Sequence, residues 1–294
     1  MASSQTITSR LAPTPSGYLH MGNLYNFALT WLHTRMGNGR LLLRIDDLDQ
    51  TRVRDQYIDD IFHTLEWMGL EYEEGPSGTG DFKTQYSQTL RIDQYRETVH
   101  LIRNNAETFY CLCSRKELER LSPDRFYQGT CRYRKLTFDN GQTALRLVTD
   151  EQSMISISEE NEEAQQQNIH QLMPFPVLVK KDNVPSYQVA SLTDDLNMKV
   201  NLLVRGKDLW TSSLAQAYLA RIIQLDPFEK VNFLHHDLIS GNDHLKLSKS
   251  QHAPSYRKTH ASKKYLFSMV ARSMNIMEQP ESLENLLEAV KNSR

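Results

Sequence analysis

Apolar positions recur at two periods along the first hundred residues. Met21, Leu24, Phe27, Ala28, Trp31 and Leu32 fall at threes and fours, the spacing of one buried helical face. They predict a helix from about His20 to near Gly37. Before it, "TITSRLA" reads as a strand; after it, "GRLLLRIDD" reads as a second. The unbroken Leu41, Leu42 and Leu43 suit a parallel sheet covered on both faces. Ile58, Ile61, Phe62 and Leu65 mark another helix, closed by Gly69. Strand, helix, strand, helix predicts an α/β, doubly wound start. The pattern changes from about Cys111 to Pro185, where short strands ("TALRLV", "PVLVK") surround the polar stretch "SEENEEAQQQN", a solvated loop or helix face. From "SYQVASLTDD" the alternation resumes. "VNLLVRG" and "VNFLHHDL" read as strands around the helix "DLWTSSLAQAYLARIIQL", and the last residues are basic, then helical. An α/β domain interrupted by an inserted module is the simplest description.

Composition narrows this picture only slightly. The 294 residues suffice for one large α/β domain or two smaller units. The formal net charge of -2 gives no global attraction to nucleic acid, so only local clusters could bind it. No apolar run reaches membrane-spanning length and the start lacks the apolar core of a signal peptide. A cytoplasmic chain without a membrane partner is expected. Three cysteines, an odd number, suit a reducing compartment better than a disulfide framework.

Two stretches carry unusual chemistry. "LAPTPSGYLHMGNL" turns through two prolines and a glycine into a helix start. Unpaired N–H groups and partial positive charge there can hold phosphate, with His20 placed to donate to the same anion. The spacing matches neither the P-loop nor the Rossmann fingerprint, and a capping histidine on an ordinary strand–turn–helix is the plain alternative. "LKLSKSQHAP" sets Lys246 and Lys249 around Leu247 and Ser248; alone, it reads as a solvated basic loop.

Together, His20-Met21-Gly22-Asn23 and Lys246-Leu247-Ser248-Lys249-Ser250 resemble the two ATP-binding signatures of class I aminoacyl-tRNA synthetases. "SRLAPTPSGYLHMGNL", "LLLRIDDLDQTR", "MGLEYEEGP", "LVRGKDL" and "KLSKSQHAP" resemble the glutamyl branch. The resemblance implies a Rossmann-like parallel-sheet catalytic domain that joins glutamate to the α-phosphate of ATP, with Mg²⁺ accompanying the ATP. It assigns catalysis to His20 and Lys249, and ATP binding to His20, Gly22, Asn23, Lys246, Ser248 and Lys249. Glutamate falls to Arg10, Leu11, Ala12, Pro13, Thr14, Asp46, Tyr187 and Arg205. An acidic substrate needs arginines, whose guanidinium can hold a carboxylate bidentately. Asp46 stands where the family usually has Glu, one methylene longer. The plain alternative pairs Asp46, Asp47 and Asp49 with Arg44 and Arg52, and Arg205 with Asp208.

Cys111, Cys113 and Cys131, with Tyr127, can complete a tetrahedral zinc site; the alternative is three reduced thiols. The pattern is similar to the zinc module of glutamyl-type enzymes, where the metal is structural. Few residues follow Ser250, and the short form resembles glutamyl-queuosine tRNA(Asp) synthetases, catalytic-domain paralogues that attach glutamate to the queuosine base in the anticodon. The resulting expectation divides the chain at 1–105 and 186–245 (catalytic halves), 106–185 (inserted module with the zinc site) and 246–294 (lysine loop and basic, helical segment), with no anticodon-binding domain. Its partners are L-glutamate, ATP and tRNA(Asp) carrying queuosine, and a monomer is expected. The basic run from Lys246 to Lys264 suits an RNA phosphate backbone. Competing readings are a truncated glutamyl-tRNA synthetase charging tRNA(Glu), a non-catalytic tRNA-binding paralogue and a small-molecule nucleotidyltransferase.

Overall fold

The computed structural model describes residues 6–121, 127–159, 166–225, 228, 230–239, 255–259 and 262–293. The chain divides into two compact units: Met1–Leu90 with Val200–Lys207 and Leu234–Arg294, and Arg91–Lys199 with Asp208–Phe233. Among the described residues, no helix is long and apolar enough to cross a membrane.

The first unit is built on the strand Thr8–Leu11. It pairs in parallel with Arg40–Leu43, setting Arg10 opposite Leu42. Its other side meets the chain leading into the strand Leu202–Gly206. Thr8 N–H donates to Asn201 Oδ1 at 2.7 Å, Asn201 N–H donates to the Thr8 carbonyl at 2.9 Å, and Ser9 Oγ donates to the Leu202 carbonyl at 2.8 Å. Thr8–Leu11 and Arg40–Leu43 thus form a two-stranded parallel pair flanked by Asn201 and Leu202, and the unalternating Leu41–Leu43 are all buried, as in a strand covered on both faces.

The helix Met21–Met36 follows, with Gly37 as its C-cap. Its apolar spacing predicts one buried face, and the structure differs. Met21, Leu24 and Tyr25 are buried, and so is the unbroken run from Phe27 through Thr34, which takes in both sides of the helix. The physical reason lies at the far end of the chain. The amphipathic helices Lys264–Ser273 and Leu283–Asn292 pack on it, and Leu266, Phe267, Val270, Leu283, Leu286 and Val290 join the same core. The helix Asp55–Met68 buries Ile58, Ile61, Leu65 and Met68 in this core and ends on Gly69 in the left-handed conformation, φ 72°.

The second unit holds an antiparallel sheet. Thr108–Cys111 pairs with Ala144–Leu147, which pairs in turn with Val177–Val179. The helices Ile92–Asn105, Tyr187–Asn197 and Trp210–Ile222 pack in contact within the same unit. The polar stretch read as a solvated loop contributes short strands at both ends: Ser158–Glu159 pairs with Asn232 and Phe233, and Gln167–Asn168 pairs with Met154–Ile155. Its middle lies outside the described residues.

A buried ion pair joins two helices of this unit. Arg91 Nε and Nη2 donate to the two oxygens of Asp194 at 2.9 and 3.0 Å, and the Tyr95 hydroxyl donates to the same carboxylate at 2.9 Å. Asp194 and Tyr95 are fully buried, and burial followed by the Asp194 charge pushes the Tyr95 hydroxyl far above its ordinary titration range. Removing one partner strands the others in a medium of low polarity. Asp194→Ala is expected to destabilise the protein by about 3 kcal/mol or more, and Tyr95→Phe by about 1 kcal/mol. Urea unfolding of each variant against wild type checks both values.

Candidate functional site

In the first unit the sheet hands its backbone on to the proline-rich turn. Arg44 N–H donates to the Leu11 carbonyl and Asp46 N–H to the Pro13 carbonyl, each at 2.9 Å, so residues 11–13 and 44–46 run side by side past the ends of the strands. Leu11 and Pro13 are buried, Ala12 is partly buried and Thr14 is exposed. Ser16 N–H then bonds back to the Thr14 carbonyl at 2.9 Å, tightening the turn before the helix.

His20 is the N-cap of Met21–Met36. Its Nδ1 accepts from Gly22 N–H at 3.1 Å, and its own N–H donates to Asn23 Oδ1 at 3.1 Å, a reciprocal capping box. Because Nδ1 accepts, the neutral ring carries its proton on Nε2, directed away from the cap. Partial enclosure lowers the histidine pKa below 6.5 by desolvation, which favours this neutral form. A Cβ on Gly22 would lie 3.1 Å from His20 Cε1, so the glycine leaves room for the ring. The first helical turn holds no acidic residue to neutralise its partial positive charge.

Arg10 and Arg205 are both buried in this unit, on Thr8–Leu11 and Leu202–Gly206 respectively. Asp46 is also buried, and Arg44 Nε donates to its Oδ1 at 2.7 Å with Nη2 on Oδ2 at 3.3 Å. Asp49 takes Arg52 Nε at 2.9 Å. Asp47 has different partners: Ser87 Oγ at 2.6 Å, Gln88 N–H at 2.7 Å and Gln50 Nε2 at 3.1 Å. The acidic run is thus held largely by neighbouring arginines and by the segment around Gln88.

Asn26 is a residue the motif reading missed. Its Nδ2 lies 3.2 Å from the Val204 carbonyl and 3.1 Å from His236 Nε2, tying the helix to the strand that carries Arg205. Spacing alone gives no sign of it, because the partners lie far along the chain. Lys246, Ser248 and Lys249 fall outside the described residues. Three members of the basic run are engaged within the chain. Arg257 Nη2 lies 3.3 Å from Asp60 Oδ1, Lys263 Nζ sits over the Trp67 ring at 5.8 Å, and Lys264 Nζ is 3.2 Å from Glu281. Tyr187 belongs to the second unit, where it opens the helix Tyr187–Asn197 with 40% of its surface exposed.

The second unit brings the three cysteines together. Their sulfurs all lie within 4.8 Å of one another, and Cys113 Sγ is 3.7 Å from Cys131 Sγ. Tetrahedral Zn–S bonds of about 2.3 Å imply sulfur separations of about 3.8 Å. The Tyr127 oxygen lies 3.3 Å from Cys111 Sγ and accepts from Cys131 N–H at 2.9 Å. Its ring is held by Phe109 and Phe175, with the Arg146 guanidinium 4.6 Å from the ring centroid. Gly129, at φ 68°, makes the turn between Tyr127 and Cys131, and a Cβ there would lie 2.7 Å from the Phe175 ring. Burial works to raise the Cys131 thiol, but hydrogen bonds from Tyr127, the Leu112 backbone and the other thiols outweigh it and bring the pKa to about 7. Burial raises Cys113 and, more strongly, Tyr127. Three thiolates at these separations fit a structural metal such as zinc; Cys111, Cys113 and Cys131 would hold it, with the Tyr127 oxygen beside them.

Residues 6–291 match the family described as tRNA synthetases class I (E and Q), catalytic domain. The chain belongs to this family. Among its relatives, Glutamate--tRNA ligase 2 of Halorhodospira halophila is 30% identical over 257 residues, covering 83% of this chain and 51% of the relative. Glutamyl-Q tRNA(Asp) synthetase of Deinococcus radiodurans is 33% identical over 258 residues, covering 85% of this chain and 81% of that one. A crystal structure of a glutamate tRNA ligase from Elizabethkingia meningosepticum, in complex with its amino acid, superposes with a TM-score of 0.76 at 21% identity. It covers 97% of this chain and 64% of the other, and shares the fold. The chain spans about half the length of the glutamate–tRNA ligases it matches. This class I synthetase chain therefore has the α/β Rossmann-like catalytic fold of its family, a cysteine cluster able to bind metal and helices near the C-terminus.

Two outcomes are expected from this geometry. The purified synthetase chain is expected to hold about one zinc ion, to lose it in Cys113→Ser, and to bind it more weakly as pH falls below 7, when protons compete for the Cys131 thiolate. Elemental analysis across a pH series reads this directly. Separately, the His20 ring is expected to titrate below 6.5 by NMR. A proton on Nδ1 also breaks the Gly22 bond, so this contribution to stability is full above the unfolded value of 6.5 and is lost as pH falls from there through the lower folded value.

Proposed function

We propose that this chain activates L-glutamate with ATP and transfers it to tRNA, with the 3′-terminal ribose of tRNA(Glu) as acceptor. The observation that supports this most is the family match over residues 6–291, joined by relatives that are themselves glutamate–tRNA ligases. The buried pair Arg10 and Arg205 supports an acidic amino acid as substrate.

In this reading a carboxylate oxygen of glutamate attacks the α-phosphorus of ATP. The bond to the bridging oxygen breaks, and pyrophosphate leaves with the electron pair. Arg10 and Arg205 hold the amino acid's carboxylates, while residues 11–14 shape the turn beside them. The Nε2–H of His20 and the N–H groups at the helix start serve the ATP phosphates, with Gly22 and Asn23 keeping that end open and capped. Asp46, already paired with Arg44, reaches the substrate ammonium with its remaining lone pairs or through a water. Tyr187 is assigned to the amino acid by the family resemblance alone. By the same resemblance Lys246, Ser248 and Lys249 bind the ATP, and Lys249 neutralises the departing pyrophosphate. Mg²⁺ accompanies the ATP. The module from 106 to 185, with its zinc site, approaches the tRNA. Catalysis in this scheme is positioning and charge stabilisation.

A second reading places glutamate on the queuosine base of tRNA(Asp). It is favoured by the 33% identity to a glutamyl-Q tRNA(Asp) synthetase over 81% of that protein's length. Both acceptors offer a cis-diol to the same activated glutamate. Incubation with labelled glutamate, ATP and bulk tRNA, followed by mapping of the labelled nucleotide, separates the two. Label on the terminal adenosine of tRNA(Glu) is expected; label confined to queuosine in tRNA(Asp) establishes the second reading. Arg205→Ala is expected to raise the glutamate KM at least tenfold, measured by glutamate-dependent exchange of pyrophosphate into ATP with tRNA present.

A further inference from the structure

We infer that Asp60 and Arg257 are positioning residues that set the backbone just before His20 against the segment following the lysine signature. The inference rests on the glutamate-activating reading for its kinetic consequence, but its geometry stands within the first unit alone. Leu19, the residue before the N-cap, is 3% exposed. Its N–H points to Asp60 Oδ2 at 3.4 Å, and its carbonyl accepts from Tyr256 N–H at 3.1 Å. Asp60 and the 255–257 segment therefore hold the two backbone groups of one residue. The Asp60–Arg257 pair, at 3.3 Å, joins these two holders. Tyr256 adds an edge contact to Trp67 at 6.4 Å, on the same helix as Asp60.

The pair is poorly arranged for simple stabilisation. Asp60 is 2% exposed, yet its Oδ1 makes no hydrogen bond of good geometry, and neither does the buried Arg257 Nε. A buried pair with incomplete hydrogen bonding regains little of its desolvation cost. What it does supply is direction. Residues 255–257 bring the guanidinium to Asp60 and the Tyr256 N–H to Leu19 together. Arg257 follows Lys249 by only a short stretch of chain, and His20 follows Leu19 directly. The contact thus sets the backbone entering the His20 cap against residues 255–257.

Arg257→Met, Arg257→Lys, Asp60→Asn and the double variant Asp60→Asn/Arg257→Met test this. Amide hydrogen exchange needs no substrate. Leu19 and Tyr256 are expected to lose protection at least tenfold in Arg257→Met, while Leu29, within the same helix core, keeps its own. In glutamate-dependent pyrophosphate exchange with bulk tRNA present, kcat is expected to fall at least tenfold with the glutamate KM within twofold. Arg257→Lys should recover part of the loss, and the double variant should be no worse than the poorer single one. Unchanged Leu19 protection, uniform loss of protection across the unit, additive kinetic losses or wild-type kcat in Arg257→Met overturns the inference. If Asp60→Asn does not fold, the two Arg257 variants carry the same decision from the more exposed partner. A wild-type protein without glutamate-dependent exchange overturns the functional reading, while amide protection still decides the positioning contact.

Discussion

The hydrogen bonds on both sides of Thr8–Leu11 are the constraint from which the candidate site follows. Arg40–Leu43 pairs along one edge, and the Asn201 amide and Leu202 carbonyl engage the other. A strand held this way resists slipping, because a shift of one residue would exchange the faces of Arg10 and Leu11. The same ladder continues past the strand through the Leu11 and Pro13 carbonyls, so the proline turn is placed by main-chain bonds rather than by its own rigidity. The position of the His20 cap is inherited from that turn.

The helix behind the cap converts this local geometry into a core. Its burial on both sides means that residues near the end of the chain complete the environment of residues near its beginning. Asn26 adds a polar tie from this helix to Val204 and His236. Charged groups inside the unit are tolerated through partners: Arg44 with Asp46, and Arg257 with Asp60. A buried charge without such a partner would cost several kcal/mol.

In the second unit, side chains that pack the cysteine cluster also orient it. The aromatic contacts around Tyr127 aim its oxygen at the sulfurs, and Gly129 supplies a backbone conformation that a larger residue would contest with Phe175. Packing and potential metal ligation therefore use one set of residues. The small hydrophobic cluster of Phe109, Cys111, Tyr127 and Cys131 has little apolar area of its own, which is why a metal cross-link is physically useful there.

Local order along the chain was legible from the sequence because it depends on neighbours within a few residues. The 3.6-residue spacing of Met21, Leu24 and Phe27, the stop at Gly37, the apolar run of Leu41–Leu43 and the Cys-x-Cys with its distant third cysteine all survive in the structure. Tertiary structure decided what depends on distant partners. It buried the second side of Met21–Met36 with helices from the C-terminal end, paired Asp46 with Arg44, gave Asp47 to Ser87 and Gln88, and drew Arg257 out of a basic run onto Asp60. Periodicity reports which side of an element is apolar, but a buried polar side chain is specified by the donor or acceptor that reaches it, and that partner is set only when the chain closes on itself.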